Sequence, residues 1–166
     1  MSSSGLKRLK VWVEAKEFAI AIYNLIIPNL PSEEKWGLAQ QLRRSASSIP
    51  ANIAEGYGRF YFQANVQFCY NARGSLEETI SHLLLVQELG FITKEQCKSV
   101  IEKGDALVQL LNGYIAYLKK IKKGSDENSP TSKVGEESPT YSVESNSEQG
   151  YPVFDDSLFS SLDSRS

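Results

Sequence analysis

Among its 166 residues the sequence has a single histidine (His82), one methionine, two tryptophans and two cysteines. One histidine excludes any histidine cluster, and with it the commonest metal-ligand sets. No Glu-x-x-His pair occurs, which removes the di-iron reading of a helical chain. Cys69 and Cys97 show no metal-ligand spacing. Both fall on predicted apolar stripes, so they read as buried thiols rather than a disulfide framework. Long apolar runs are missing too. The longest, Phe18 to Ile27, is interrupted by Asn24 and ends at Pro28. It falls short of the ~20 residues that cross a bilayer. The N-terminus, Met1-Ser-Ser-Ser-Gly-Leu-Lys-Arg, carries no apolar segment of the signal-peptide kind. The expectation is a cytoplasmic protein with no membrane contact, no metal and no cofactor.

Catalytic groupings are equally scarce. Glu55-Gly-Tyr-Gly-Arg59 matches neither phosphate-loop pattern, and no strand precedes it. Ser47 and Ser48 have no base beside them. His82 lies next to an apolar stripe and reads as a surface or hydrogen-bonded core residue. No catalytic residue is assigned, and a non-enzyme is expected.

Charge is present but unevenly placed. Residues 1–123 hold 16 Lys and Arg against 11 Asp and Glu, a net of +5. Residues 124–166 hold 2 against 9, a net of −7. A basic body therefore precedes an acidic tail. The division predicts a helical domain at 1–123 and a disordered acidic tail at 124–166, because low apolar content leaves nothing to offset ordering entropy. One stretch differs: Tyr151-Pro-Val-Phe-Asp-Asp-Ser-Leu-Phe159, then Leu162. Aromatics beside acids suit folding onto a partner or back onto the basic body, while the composition alone suits a solubilising tail.

Apolar periodicity predicts four helices and no strand. The first spans Leu6 to Ile27, with one stripe at Leu9, Trp12, Ala19, Tyr23 and Ile26 and another at Val13, Ile20 and Ile27. Pro28 and Pro31 end it. The second begins at Ser32 as N-cap, with Glu33 and Glu34 in its first turn. Its stripe is Trp36, Ala39, Leu42, Ala46, Ile49 and Ile53, and small residues at Ala39, Ser45, Ala46 and Ala51 invite close packing. Pro50 is expected to bend it, and Gly56 and Gly58 to end it. The third runs from Phe60 or Phe62 to Leu89, along Phe62, Val66, Cys69, Leu76, Ile80 and Leu83, with Arg73 inside the stripe. Gly74 there implies close packing or a local bend, and Gly90 a stop. The fourth opens on a capping box, Thr93 and Gln96, with Ile92 and Cys97 as its staple. Cys97, Ile101, Gly104, Val108, Leu111, Ile115 and Leu118 then keep a 3.5-residue repeat. Lys119, Lys120, Lys122 and Lys123 crowd its expected last turn. Long helices with short connections make an all-α, antiparallel up-down-up-down four-helix bundle with a disordered C-terminal tail.

The segment Arg43 to Arg59 is denser in unusual residues than anything around it. Arg43 and Ser47, and Arg44 and Ser48, stand one turn apart, so each pair presents a guanidinium with a hydroxyl, which suits a phosphate. Arg59 and Arg73 add charge, and Tyr57, Phe60 and Tyr61 add rings. Arginine with exposed aromatics suits nucleic acid. The alternative is structural: Arg43 or Arg44 pairs with Glu55, Glu77 or Glu78, and Asn52 and Glu55 bond the start of the third helix or its loop.

The pattern Leu38-x-x-Gln41-Leu-Arg-Arg-x-Ala46-x-Ser48-Ile49-x-x-Asn52-Ile-Ala-Glu-Gly56-x-Gly58-Arg59 resembles the signature of a bacterial four-helix-bundle family. That family comprises the 23S rRNA intervening-sequence proteins and the accessory variability proteins of diversity-generating retroelements. Gly74-Ser75-Leu76-x-Glu78 and Leu89-Gly90 extend the likeness, which covers about Leu6 to Lys120. The resemblance implies a homopentamer with a basic surface, RNA or DNA as ligand, and a reverse transcriptase as partner of the accessory members. It marks Arg43, Arg44, Arg59 and Arg73 as candidate nucleic-acid contacts, and Asn52, Glu55, Gly56, Gly58, Gly74 and Glu78 as structural motif residues. The acidic tail departs from the family pattern. Two functions are therefore expected of this chain: an oligomeric nucleic-acid-binding bundle, or a protein-interaction scaffold with basic patches in subunit assembly and the tail as binding element.

Overall fold

The computed structural model describes residues 3–59 and 61–127. Among them every regular element is helical. A short helix α1 (Ser3–Arg8) leads into α2 (Lys10–Ala21), followed by α3 (Leu38–Tyr57), α4 (Phe62–Glu88) and α5 (Lys94–Glu127). Each of α2, α3, α4 and α5 packs on two of the others, in the cycle α2–α3–α4–α5–α2.

Across α3 and α4, and across α4 and α5, contacts pair residues in opposite sequence order. Arg44 meets Glu78, Ser48 meets Ser75 and Gly56 meets Asn65 across α3 and α4. Cys97 meets the Leu83 carbonyl, and Arg73 meets Asn112, across α4 and α5. Gly5 lies against Tyr57, and Tyr23 against the Arg43 carbonyl, along the α2–α3 side. Phe18, Ile22, Leu42, Ile49, Ile53, Leu76, Leu83, Leu107 and Leu111 fill the space between them.

The ends of α4 and α5 follow the sequence closely. Gly90 adopts φ 74°, the left-handed turn that favours glycine. The Gly90 N–H reaches the Gln87 carbonyl at 2.9 Å, and the Phe91 N–H reaches the Val86 carbonyl at 3.1 Å, a Schellman pair. Thr93 and Gln96 close the capping box, with N–H to Oε1 at 2.9 Å and N–H to Oγ1 at 3.2 Å. Ile92 and Cys97 are both buried beside it.

The first predicted helix is not continuous. Leu9 breaks it with ψ 105° and no side-chain cap; the residue is buried, so packing holds the break. Farther on, Pro28 has no N–H for the Asn24 carbonyl, and the α pattern cannot continue. A π turn at Ile22–Ile26 and a 3₁₀ turn at Ile27–Asn29 take its place. The inward stripe is Val11, Ala15, Phe18, Ile22 and Ile26, which leaves Ile20 and Tyr23 exposed against expectation.

Ser32 is not an α-helical N-cap. Ser32–Trp36 forms a 3₁₀ segment with no side-chain cap. Glu34 does the capping one turn on, where its Oε2 accepts the Leu38 N–H at 2.9 Å. Trp36, expected inside, is 75% exposed, and Ala51 is exposed too. The helix continues through Pro50. Gly56 does not end α3 but is buried within it, and Gly58 closes the helix in right-handed geometry, φ −75°. At Gly74 a Cβ would meet nothing within 4 Å, so no close packing within the described residues requires a glycine. Finally, α5 runs past Lys123 to Glu127. Lys119, Lys120, Lys122 and Lys123 therefore precede its last turn. The rest of the expected tail, 128–166, lies outside the described residues.

Candidate nucleic-acid interface

On α3 the residues Ser48, Asn52 and Gly56 recur at steps of four, so they form one line along the helix. That line faces α4. Asn52 Nδ2 donates to the Ser48 carbonyl at 2.8 Å and lies 2.9 Å from Ser48 Oγ. Ser48 Oγ in turn lies 2.9 Å from Ser75 Oγ. Deeper in, Thr79 Oγ1 lies 2.9 Å from Ser45 Oγ and 2.8 Å from the Ser75 carbonyl. Buried hydroxyls demand partners, and these supply one another. At Gly56 a Cβ would stand 2.7 Å from Asn65 Oδ1 and 2.9 Å from Phe68 Cβ, so only glycine lets α4 approach so closely. Most of the dense motif is thus the packing surface of α3 on α4.

Two of the four candidate arginines are neutralised on the rim of this seam. Arg44 pairs with Glu78, and its Nε donates to Gln41 Oε1 at 3.2 Å. Arg59 pairs with Glu55 one turn back and lies 5.0 Å above the Phe68 ring. Ser48 is engaged with Asn52 and Ser75, so it is not the free hydroxyl that a phosphate site with Arg44 requires. Arg43 is half-buried and forms no ion pair among the described residues. Its backbone carbonyl, 3.4 Å from the Tyr23 hydroxyl, is its link to the start of the chain.

Arg73 lies elsewhere, on the face of α4 turned to α5. Its Nη1 donates to Asn112 Oδ1 at 3.1 Å, and its guanidinium stands 5.1 Å from the Tyr70 ring centroid. Lys119 approaches the same ring at 5.3 Å and donates to the Tyr70 hydroxyl at 2.7 Å. Two cations thus share one aromatic ring, and neither forms an ion pair with a carboxylate among the described residues. An Asn carbonyl and a phenol orient the charges but do not cancel them. The arrangement suits an anion with some aromatic or planar character.

Nothing in the sequence singles out Tyr70 or Asn112, and Lys119 reads there only as one of four helix-end charges. Tyr70 and Arg73 at i and i+3 share a helix face, as do Asn112 and Lys119 at i and i+7. That signal becomes specific only once α4 and α5 are set antiparallel.

Other chemistry-bearing groups are few. His82 Nε2 is buried without a hydrogen-bond partner and stands 3.7 Å from Glu78 Oε1, the carboxylate that also holds Arg44. Cys69 and Cys97 are free and buried. Burial pushes the Cys69 thiol up to about 12 and raises that of Cys97. Glu95 is held below the usual carboxylate range by its own backbone N–H and then by the Thr93 hydroxyl, as befits the first turn of α5. Among the described residues, no group of His, Cys, Asp and Glu can hold a metal, and no helix is long and apolar enough to cross a membrane.

The fold and the site define a small helical protein with a packed polar seam and a cationic face. The chain belongs to the 23S rRNA-intervening sequence protein family, whose model matches residues 7–113. It is similar to the crystal structure, at 1.70 Å resolution, of a protein with unknown function from the S23 ribosomal protein family of Bacteroides thetaiotaomicron VPI-5482. That likeness has a TM-score of 0.59 and 30% identity, over 63% of this chain and 97% of the other. No curated protein matches. Lys119 falls beyond the family match, whereas Tyr70, Arg73 and Asn112 fall within it.

Proposed function

We propose that the protein is a non-enzymatic, cytoplasmic, oligomeric bundle that binds nucleic acid, structured RNA first, through a cationic surface. In this reading α2, α3, α4 and α5 form an antiparallel up-down-up-down four-helix bundle. The observation that carries it is the Arg73–Tyr70–Lys119 cluster, where two cations flank a ring with no carboxylate partner. The family description names 23S rRNA, which makes RNA the first ligand class to test. Arg43 serves as a peripheral contact, whereas Arg44 and Arg59 stay with their carboxylates and add none.

Assembly completes the surface. Ile20, Tyr23, Leu25, Trp36, Leu84, Leu85 and Leu89 are all exposed. The antiparallel register of α3 and α4 sets Trp36 level with Leu85, at the end of the molecule where Leu84 and Leu89 also lie. Exposed large apolar side chains suit contact between copies. A homopentamer is the assembly implied by resemblance, and a reverse transcriptase is the protein partner it adds. Merged copies raise the local positive potential well above that of one chain.

The second reading is a protein-interaction scaffold. It is favoured by the ion pairs of Arg44 and Arg59, which fix helices rather than bind ligands. Native mass with and without nuclease, joined to a gel shift with an RNA hairpin, separates the two. RNA binding is expected at about 50 mM salt and fades by about 200 mM, because neutralised phosphates release counterions. A nucleic-acid-free preparation with no shift at low salt sinks the first reading.

A further inference from the structure

We infer that the acidic aromatic stretch Tyr151–Asp163 of this same chain docks on the Arg73–Tyr70–Lys119 cluster and competes there with nucleic acid. The inference rests on the proposed function for its regulatory meaning, but the docking itself stands on separate observations.

The first is charge. Residues 124–166 carry a net of −7 against +5 for residues 1–123. Within the described body, Arg44 and Arg59 already hold carboxylates, whereas Arg73 and Lys119 hold none. An internal anion therefore finds two uncompensated cations at one aromatic side chain on the α4–α5 face. Lys120, exposed and next in sequence, adds to the field.

The second is chemical shape. Arg73 stands against the Tyr70 ring and Lys119 at its hydroxyl. The stretch offers the complement: Asp155 and Asp156 side by side, with Phe154 before them and Phe159 after. Two adjacent carboxylates can each take one cation, and a flanking ring can lie against the Tyr70 or Arg73 plane.

The third is reach. Lys119 precedes Glu127 by eight residues of helix, about 12 Å at 1.5 Å per residue. From Glu127 to Asp155 there are 28 further residues. A chain of that length, rich in Ser, spans about 30 Å on average, so the return is well within range. Tethering also raises the effective concentration to about the millimolar range, enough to favour a weak contact. An RNA with many phosphates displaces the stretch, whereas short or sparsely charged ligands are excluded.

The test uses the full chain. Cys69 and Cys97 are both 0% exposed, so a nitroxide on Ser157→Cys labels one site. Broadening of amide signals is expected at residues 70–73 and 112–119, lost in Asp155→Asn/Asp156→Asn and at high salt. The same neutralised tail is expected to tighten RNA-hairpin binding about five- to tenfold at about 50 mM salt. Broadening spread evenly, or centred on the Trp36–Leu85 end, overturns the inference. Localised broadening in a chain that binds no RNA upholds the docking and rejects the RNA reading. Equal RNA affinity for both tails without broadening does the reverse.

Discussion

The two faces of α4 make a sharp contrast. Toward α3, the polar groups meet one another: Ser45 with Thr79, Ser48 with Ser75 and Asn52, Arg44 with Glu78. Toward α5, Arg73 and Lys119 meet only neutral partners and a ring. The first face is dense in motif residues and has spent its charge. The second is sparse in motif residues and keeps its charge. In this molecule a conspicuous sequence pattern marks where helices pack, and uncancelled charge lies where residues distant in sequence converge.

The contrast breaks if seam substitutions alter binding or α5-face substitutions alter stability. Gly56→Ala is expected to have the largest effect, a loss of about 2–3 kcal/mol, because the new methyl group overpacks against Asn65 and Phe68; urea unfolding measures it. RNA affinity of the folded fraction stays unchanged. Arg73→Ala with Lys119→Ala follows, with a tenfold to thirtyfold loss of RNA affinity, about 1.4–2 kcal/mol, and a melting temperature within a few degrees of the parent. Gly74→Ala sharpens the comparison in the opposite direction. Nothing stands within 4 Å of the added methyl, so helix propensity alone raises stability by up to about 1 kcal/mol. A large loss in the assembled protein instead identifies Gly74 as a contact between copies. Arg44→Ala is the smallest, below about 1 kcal/mol in stability, since its pair is exposed.

A separate pH effect belongs to the seam side. Burial raises the Cys69 pKa, so its contribution to stability is full below the unfolded value and is lost as pH climbs toward about 12. Melting temperature is expected to fall above about pH 9, and less steeply in Cys69→Ala. An aromatic disulfide reagent at neutral pH finds both native thiols unreactive.

Much of the fold was legible because it depends on local signals. The capping box at Thr93 and Gln96, the stop at Gly90 and the stripe Leu42–Ala46–Ile49–Ile53 are written in neighbouring residues, and each appears in place. What failed depended on tertiary context. Trp36 fits the helical period of α3, but a 3₁₀ turn and the break at Gly37 carry it outside. Tyr23 fits the stripe of α2 until Pro28 forces a π turn and rotates it out. Gly56 reads as a helix stop, yet it is a point of close approach set by Asn65 and Phe68 on another helix. The candidate site was half legible. Arg73 stood out as a charge within an apolar stripe, whereas Tyr70, Asn112 and Lys119 acquire meaning only from the register of α4 on α5.

The salt dependence of RNA-hairpin binding tests the division of labour most directly. Each phosphate contact contributes about 0.7–0.9 to the slope of log affinity against log salt concentration. The account predicts that Arg73→Ala/Lys119→Ala flattens the slope by about 1.4–1.8, while Arg44→Ala/Arg59→Ala leaves it unchanged. A slope flattened by the second pair and untouched by the first contradicts it.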